Sequence, residues 1–230
     1  MKDILCNSSY FGVVISLIGY SLGVLIKKKL KHVIFNPLVV SIFFVITILL
    51  VFGIDYNDYS KSTQYISFFL TPATVCLAIP LYIQIKLLKK NFKAIILGIL
   101  TGVLSSLVSV FVLSYFFGFT HQLYITMLPK SITTAIAMDL VGELGGIKNI
   151  TVVVVILTGI VGNIMCESIC RLFKITNPIA VGLAIGTSSH AMGTAKALEI
   201  GRVEGAMSSL AIVVSGLLTV VLINIFTGFL

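Results

Sequence analysis

Charge is what this 230-residue chain has least of: 16 Lys and Arg and 8 Asp and Glu, against a hydrophobic share of 58%. About a quarter of an ordinary soluble domain is charged. A mean hydropathy of +1.13 is incompatible with such a domain. The few charges are also clustered. Seven stretches contain no Lys, Arg, Asp or Glu at all: 4–26, 33–54, 62–85, 94–129, 149–166, 175–195 and 205–230. Each reaches about 18 residues or more, the length of helix that crosses a bilayer. The polar face that a long soluble helix would show is mostly missing. So are the short alternating strands of a membrane β-barrel.

Three further absences narrow the class. No small-residue cleavage site follows the first apolar run, and its charge comes after it, so 1–29 is read as a first span and not a secretion signal. The cysteines Cys6, Cys76, Cys166 and Cys170 have no histidine or acid pair beside them. Cys166 and Cys170 share a helix face, yet buried thiols are the better reading than a metal site, and no cofactor is expected. The net charge of +8 resides in short tracts between apolar runs, at Lys27–Lys31 and at Lys86, Lys89, Lys90 and Lys93. Such tracts mark cytoplasmic loops, so the partner they imply is a lipid bilayer and not a nucleic acid.

What is there is an all-α polytopic membrane protein. It forms a single integral membrane domain over 1–230 with about seven to eight membrane segments. Asn36-Pro37 opens the second span, with proline in the tolerated first turn. The stretch IDYNDYSKS reads as an acid-leaning outer loop. Pro72 and Pro80 kink or break the third span, 62–85. The fourth, 94–118, has a face rich in Gly, Ser and Val that suits close helix approach. Pro72 and Pro129 are each followed at the same distance by Ala-Ile (Ala78-Ile79 and Ala135-Ile136), and Asn36-Pro37 recurs as Asn177-Pro178. These echoes suggest related halves at about 33–118 and 121–230, a duplicated arrangement with the second half inverted or not. If every segment crossed fully, Arg171 and Lys174 would lie outside. One re-entrant or broken segment around Lys130 returns them to the inside.

Polar groups at membrane depth are costly and are functional candidates by default. Lys130, Ser131, Thr133 and Thr134 follow Pro129 and could hold a carboxylate, or the lysine could snorkel while the hydroxyls bond their own backbone. Asp139 and Glu143 share a helix face and would suit a proton carrier; placement in an interfacial loop, paired with Lys148 or capping, is slightly favoured. The stretch GTSSHAMGTAKALE, from Gly186 to Glu199, interrupts two long apolar runs. Gly186 and Gly193 are its expected helix breaks. Ser188, Ser189, His190 and Thr194 are expected to line a substrate path, with Lys130, Ser131 and Thr133 opposite. A histidine held by packing is the alternative. An imidazole titrates near pH ~6.5 in water, so His190 is also a candidate proton carrier. Catalysis is not expected: Ser189 and His190 are adjacent in sequence, and no third group orients the ring.

The segments LPKSITTAIAMDLVGELGGI, GIVG and NPIAVGLAIGTSSHAMGTAKALEIGRVEGAMSSLAI resemble the LrgB/CidB family of bacterial membrane proteins, as do the upstream NPL and FFLTPATVCLAIPLY. The resemblance covers about 35–222. It implies a multi-pass cell-membrane protein of one of two kinds. One is a transporter of small monocarboxylates of the glycolate, pyruvate and lactate class, with or without proton coupling. The other is an antiholin-like regulator of murein hydrolases that acts with an LrgA/CidA-type small membrane protein and transports nothing itself. A homo-oligomer is compatible with either. Two positions depart from the family pattern: Ala135 stands where proline commonly follows the paired threonines, and Cys166-Glu167 stands where Gly-Pro often follows GIVG.

Overall fold

The structure, a computed structural model, describes residues 10–30, 37–69, 72, 75–76 and 78–230. Among them the regular secondary structure is all helix, with no strand. The chain is the all-α polytopic membrane protein its composition demands. Four helices are long and apolar enough to cross a membrane: Phe11–Leu30, Phe92–Phe116, Lys148–Leu172 and Arg202–Phe229. Among the described residues Pro37–Phe52 is a shorter apolar helix.

The chain divides into two compact units, Met1–Cys76 and Leu77–Leu230. In the first, α1 (Phe11–Leu30) packs antiparallel on α2 (Pro37–Phe52). Glycine permits the approach. A Cβ on Gly23 would lie 2.7 Å from the Cα of Pro37, and one on Gly19 would meet Phe44 and Ser41. The stretch read as an outer loop contains a short helix instead, α3 (Tyr56–Ser62). Asp55 starts it by accepting a hydrogen bond from the Asn57 backbone at 2.8 Å, a side-chain cap that a polarity reading overlooks. α4 (Gln64–Phe68) follows. The expected break at Pro72 lies largely outside the described residues, since within 70–77 only 72, 75 and 76 are described.

The second unit begins with α5 (Ala78–Ile83) and α6 (Ile85–Lys90). The long helix α7 (Phe92–Phe116) comes next, then the short α8 (His121–Met127) and α9 (Thr134–Glu143). α10 (Lys148–Leu172), α11 (Pro178–Ile200) and α12 (Arg202–Phe226) complete it, with a terminal 3₁₀ turn, Thr227–Phe229.

Glycine contacts fix how these helices run. Gly98 faces Leu183 and Gly102 faces Thr187, so α7 and the start of α11 are parallel. Gly159 faces His190 and Gly162 faces Ser189, while Cys170 clusters with Val181, so α10 runs the other way. The start of α10 therefore lies at the C-terminal end of α7, and α8 and α9 leave that end and return to it. Thr126 ties the return down: its hydroxyl accepts from the Ile147 backbone at 2.9 Å, and its carbonyl accepts from Thr151 Oγ1 at 3.0 Å. This is the re-entrant segment around Lys130 that the basic residues Arg171 and Lys174 called for.

α11 turns back in the opposite sense. Gly182 packs on Glu204 and Met207, and Gly186 packs on Ser208 and Ala211, so α12 starts beside the start of α11 and runs parallel to it. Residues 191–200 must then come back toward the end where 178 began. They do: Ala197 clusters with Val181 and Ile185, and Leu198 packs on Gly205. Two re-entrant segments thus enter the unit from opposite ends. Small residues make the crossings close, as lipid-embedded packing requires.

Candidate functional site

The tips of the two re-entrant segments face one cavity inside the second unit. The first tip is the break between α8 and α9, where residues 128–133 are turns and not helix. Pro129 sits in it; its ring and missing donor are incompatible with a continuing helix. The chain turns through Lys130 N–H to Met127 O at 3.2 Å and Ile132 N–H to Pro129 O at 3.3 Å. Thr133 is the N-cap of α9 in extended conformation, and its hydroxyl makes no capping bond. Ala135, where the family pattern has proline, lies in the first turn of α9; the break exists without it because Pro129 supplies one six residues earlier.

The second tip is His190. Its φ of 41° and ψ of −137° interrupt α11 in a region that suits glycine and strains other residues. Gly186 and Gly193, expected to break this helix, are both helical. A Cβ on Gly186 would lie 2.5 Å from the Ser208 carbonyl oxygen, and one on Gly193 would lie 2.6 Å from Ser189 Cβ. Both glycines are there for closeness: Gly186 lets α12 approach, and Gly193 lets the returning arm pass the outgoing one.

A cavity of about 1040 Å³ extends from these tips. α7 supplies one wall with Thr101, Ser105, Ser106 and Ser109 at helical spacing, and Gly98 and Gly102 between them. The first tip contributes Lys130 and Ser131, and the outgoing arm of α11 contributes Thr187, Ser188 and Ser189. α10 closes the other side from Thr158 to Cys170. Among the described residues Lys130 is the one charged side chain in this lining. Among the described residues no ion pair includes it. Its Nζ donates to Ser131 Oγ at 3.4 Å, and Ser131 Oγ is 2.9 Å from Ser106 Oγ, so a cation and two hydroxyls link the tip to α7. Across the cavity Ser188 and Ser189 share a hydrogen bond of 3.0 Å.

Of the residues expected at the site, Lys130, Ser131, Ser188 and Ser189 line one cavity. Thr133 and Thr134 are half-buried at the start of α9 and stand outside its lining. His190 and Thr194 are buried behind it. His190 Nε2 donates to the Val155 carbonyl at 3.0 Å, with the ring against Gly159. Thr194 Oγ1 donates to His190 O at 3.0 Å and lies 2.7 Å from Ser208 Oγ. These bonds fasten the tip to α10 and α12. Asp139 and Glu143 are exposed on α9, one turn apart, and reach no part of the cavity lining. Among the described residues no group of three His, Cys, Asp or Glu could hold a metal ion.

Two features escaped the sequence reading. The hydroxyl row of α7 was legible only as small residues suited to packing, although its spacing was visible. The acid gained at Glu167 has a partner far away in sequence: Lys196 of the returning arm, at 3.4 Å, with Arg171 at 2.6 Å on its own helix. α10 runs unbroken through Cys166-Glu167.

The family model described as the LrgB-like family matches residues 16–229. No solved structure matches the chain.

Proposed function

The chain belongs to the LrgB-like family, and on that premise we propose that it is a cell-membrane transporter of small monocarboxylates of the glycolate, pyruvate and lactate class. The observation that carries this reading is Lys130. It is a half-buried lysine that pairs with no carboxylate among the described residues, at a helix break, in a cavity whose other described lining groups are hydroxyls, the amides of Asn91 and Asn177, thiols and apolar side chains. A cation at membrane depth is costly until an anion joins it. A carboxylate beside Lys130 would gain a charge-assisted bond, with hydroxyls of Ser106 and Ser131 in reach as further donors. Two interrupted segments entering from opposite ends and meeting at one cavity also suit a carrier, which must open its site to either side in turn.

The test is uptake of labelled lactate, pyruvate and glycolate by proteoliposomes holding the purified chain, with and without an LrgA/CidA-type partner. Saturable uptake is expected, with a half-saturating concentration that Lys130→Met raises by about tenfold or more, the loss of one charge-assisted bond. Absence of flux under both conditions would favour the antiholin-like regulator, which needs no substrate of its own.

A further inference from the structure

The cavity is far larger than those acids need. Pockets of roughly 300–1,000 Å³ enclose drug-sized ligands, and this one holds about 1040 Å³. A lactate at Lys130 would fill a small part of it.

Among the described residues its charge is confined to one end, while the amides of Asn91 and Asn177 stand at the opposite mouth. Lys130, Ser106, Ser131 and Ser189 stand at one end. Since α10 runs antiparallel to the outgoing arm of α11, the wall away from Lys130 passes Met165, Cys166 and Leu183 and then Ile169, Cys170 and Ile179. From Gly162 to Cys170 that wall extends about 12 Å at ~1.5 Å per residue. Among the described residues no second charge lines it. One cation at one end of a channel whose α10 wall is apolar from Met165 to Cys170 matches a ligand with one anionic head and an uncharged tail.

We infer that the ligand this cavity favours is a medium-chain monocarboxylate, with its carboxylate at Lys130 and its alkyl tail along the Met165–Cys170 face of α10. This rests on the reading of Lys130 as the carboxylate's partner and adds the tail. Each methylene the channel buries is worth about a fourfold gain in affinity, so the preference should be steep in chain length.

The thiols in the channel wall report on it directly. Cys166 and Cys170 line the cavity although each is largely buried, and Cys76 is exposed and serves as the internal reference. The full chain in nanodiscs of neutral lipid is treated with N-ethylmaleimide, and alkylation of each cysteine is followed by mass spectrometry. Acetate, lactate, butyrate, hexanoate and octanoate are the protectants, with hexanol and hexylamine as controls. The half-protecting concentration is expected to fall by about fourfold per methylene from butyrate upward. Hexanol and hexylamine should protect at least about tenfold less well than hexanoate, and Lys130→Met should erase the advantage of acid over alcohol. A flat series, equal protection by hexanol on the unmodified chain, or thiols that resist alkylation with no acid present would overturn the inference. A flat series beside saturable lactate uptake would leave the small-acid carrier standing. A steep series without uptake would remove transport and keep the ligand class.

Discussion

Gly162 of α10 lies so close to Ser189 that no side chain fits between them. A Cβ there would collide with Ser189 Oγ and lie 2.5 Å from its Cβ. One turn earlier, Gly159 leaves the same room for His190, whose Cε1 would stand 2.7 Å from a Cβ at that position. The GIVG motif is therefore the seat of the second re-entrant tip. It receives the two residues at which α11 turns, and it aims one, Ser189, at the cavity while the other, His190, locks into the wall behind.

Gly162→Ala should destabilise the chain by about 1–3 kcal/mol, the usual cost of forcing carbon into a filled space. Thermal unfolding in detergent measures it. Adding Ser189→Gly to the same chain removes the colliding atoms and should recover a large part of the loss, which a double-mutant cycle reads as coupling. Simple addition of the two losses would show that Gly162 does not serve Ser189.

His190 holds a backbone conformation that costs a side-chain-bearing residue about 1–3 kcal/mol, while its ring contributes a buried bond to Val155 O. His190→Ala forfeits the bond and keeps the strain; His190→Gly forfeits the bond and relieves the strain. The glycine variant should accordingly unfold at the higher temperature, reversing the order expected inside an ordinary helix. An alanine variant at least as stable as the glycine variant would mean that α11 does not turn at this residue.

How much of this was legible depends on where the deciding partner lies. Composition set the class, because scarce, clustered charge leaves no other home for such long apolar runs. Pro129 betrayed its break because the cause is carried by the residue itself. The break in α11 was visible as a polar interruption but was assigned to Gly186 and Gly193, when it falls on His190 between them. Nothing local marks a histidine for positive φ; α10 and α12 impose it through Val155, Gly159 and the Thr194–Ser208 bond. The same holds for Glu167 and Lys196, whose pairing exists only once residues 191–200 have folded back beside α10. His190 and Thr194 were expected in the substrate path for their polarity alone. Polarity shows that a group needs a partner, and in both cases backbone and hydroxyl groups of the protein supply it.

Ser106 and Ser109 both line the cavity from α7, yet they should differ. Ser106 is bonded to Ser131, which accepts from Lys130, whereas Ser109 donates to its own helix at Ser106 O. If lactate is carried, Ser106→Ala should raise its half-saturating concentration by about twofold to tenfold, the worth of one net hydrogen bond. Ser109→Ala should stay within about twofold. Equal effects would place the anion elsewhere than beside Lys130.

The fold of the second unit makes a firm statement about sidedness. α7 starts just after the basic residues Lys86, Lys89 and Lys90, and α10 carries Arg171 in its last turn with Lys174 just beyond. Because α7 and the outgoing arm of α11 are parallel and α10 opposes both, these basic groups gather at one end of the unit. Basic tracts are retained in the cytoplasm, so that end should face inward and Phe117, at the far end of α7, should face outward. In intact cells, an impermeant maleimide should label Phe117→Cys and spare Lys90→Cys and Lys174→Cys. In inside-out vesicles the pattern should reverse. The native thiols are scored separately by peptide mass. Had α8 and α9 crossed the membrane as one full span, Lys90→Cys and Lys174→Cys would label from opposite sides. That outcome would remove the re-entrant segment around Lys130, and with it the shared cavity on which the site depends.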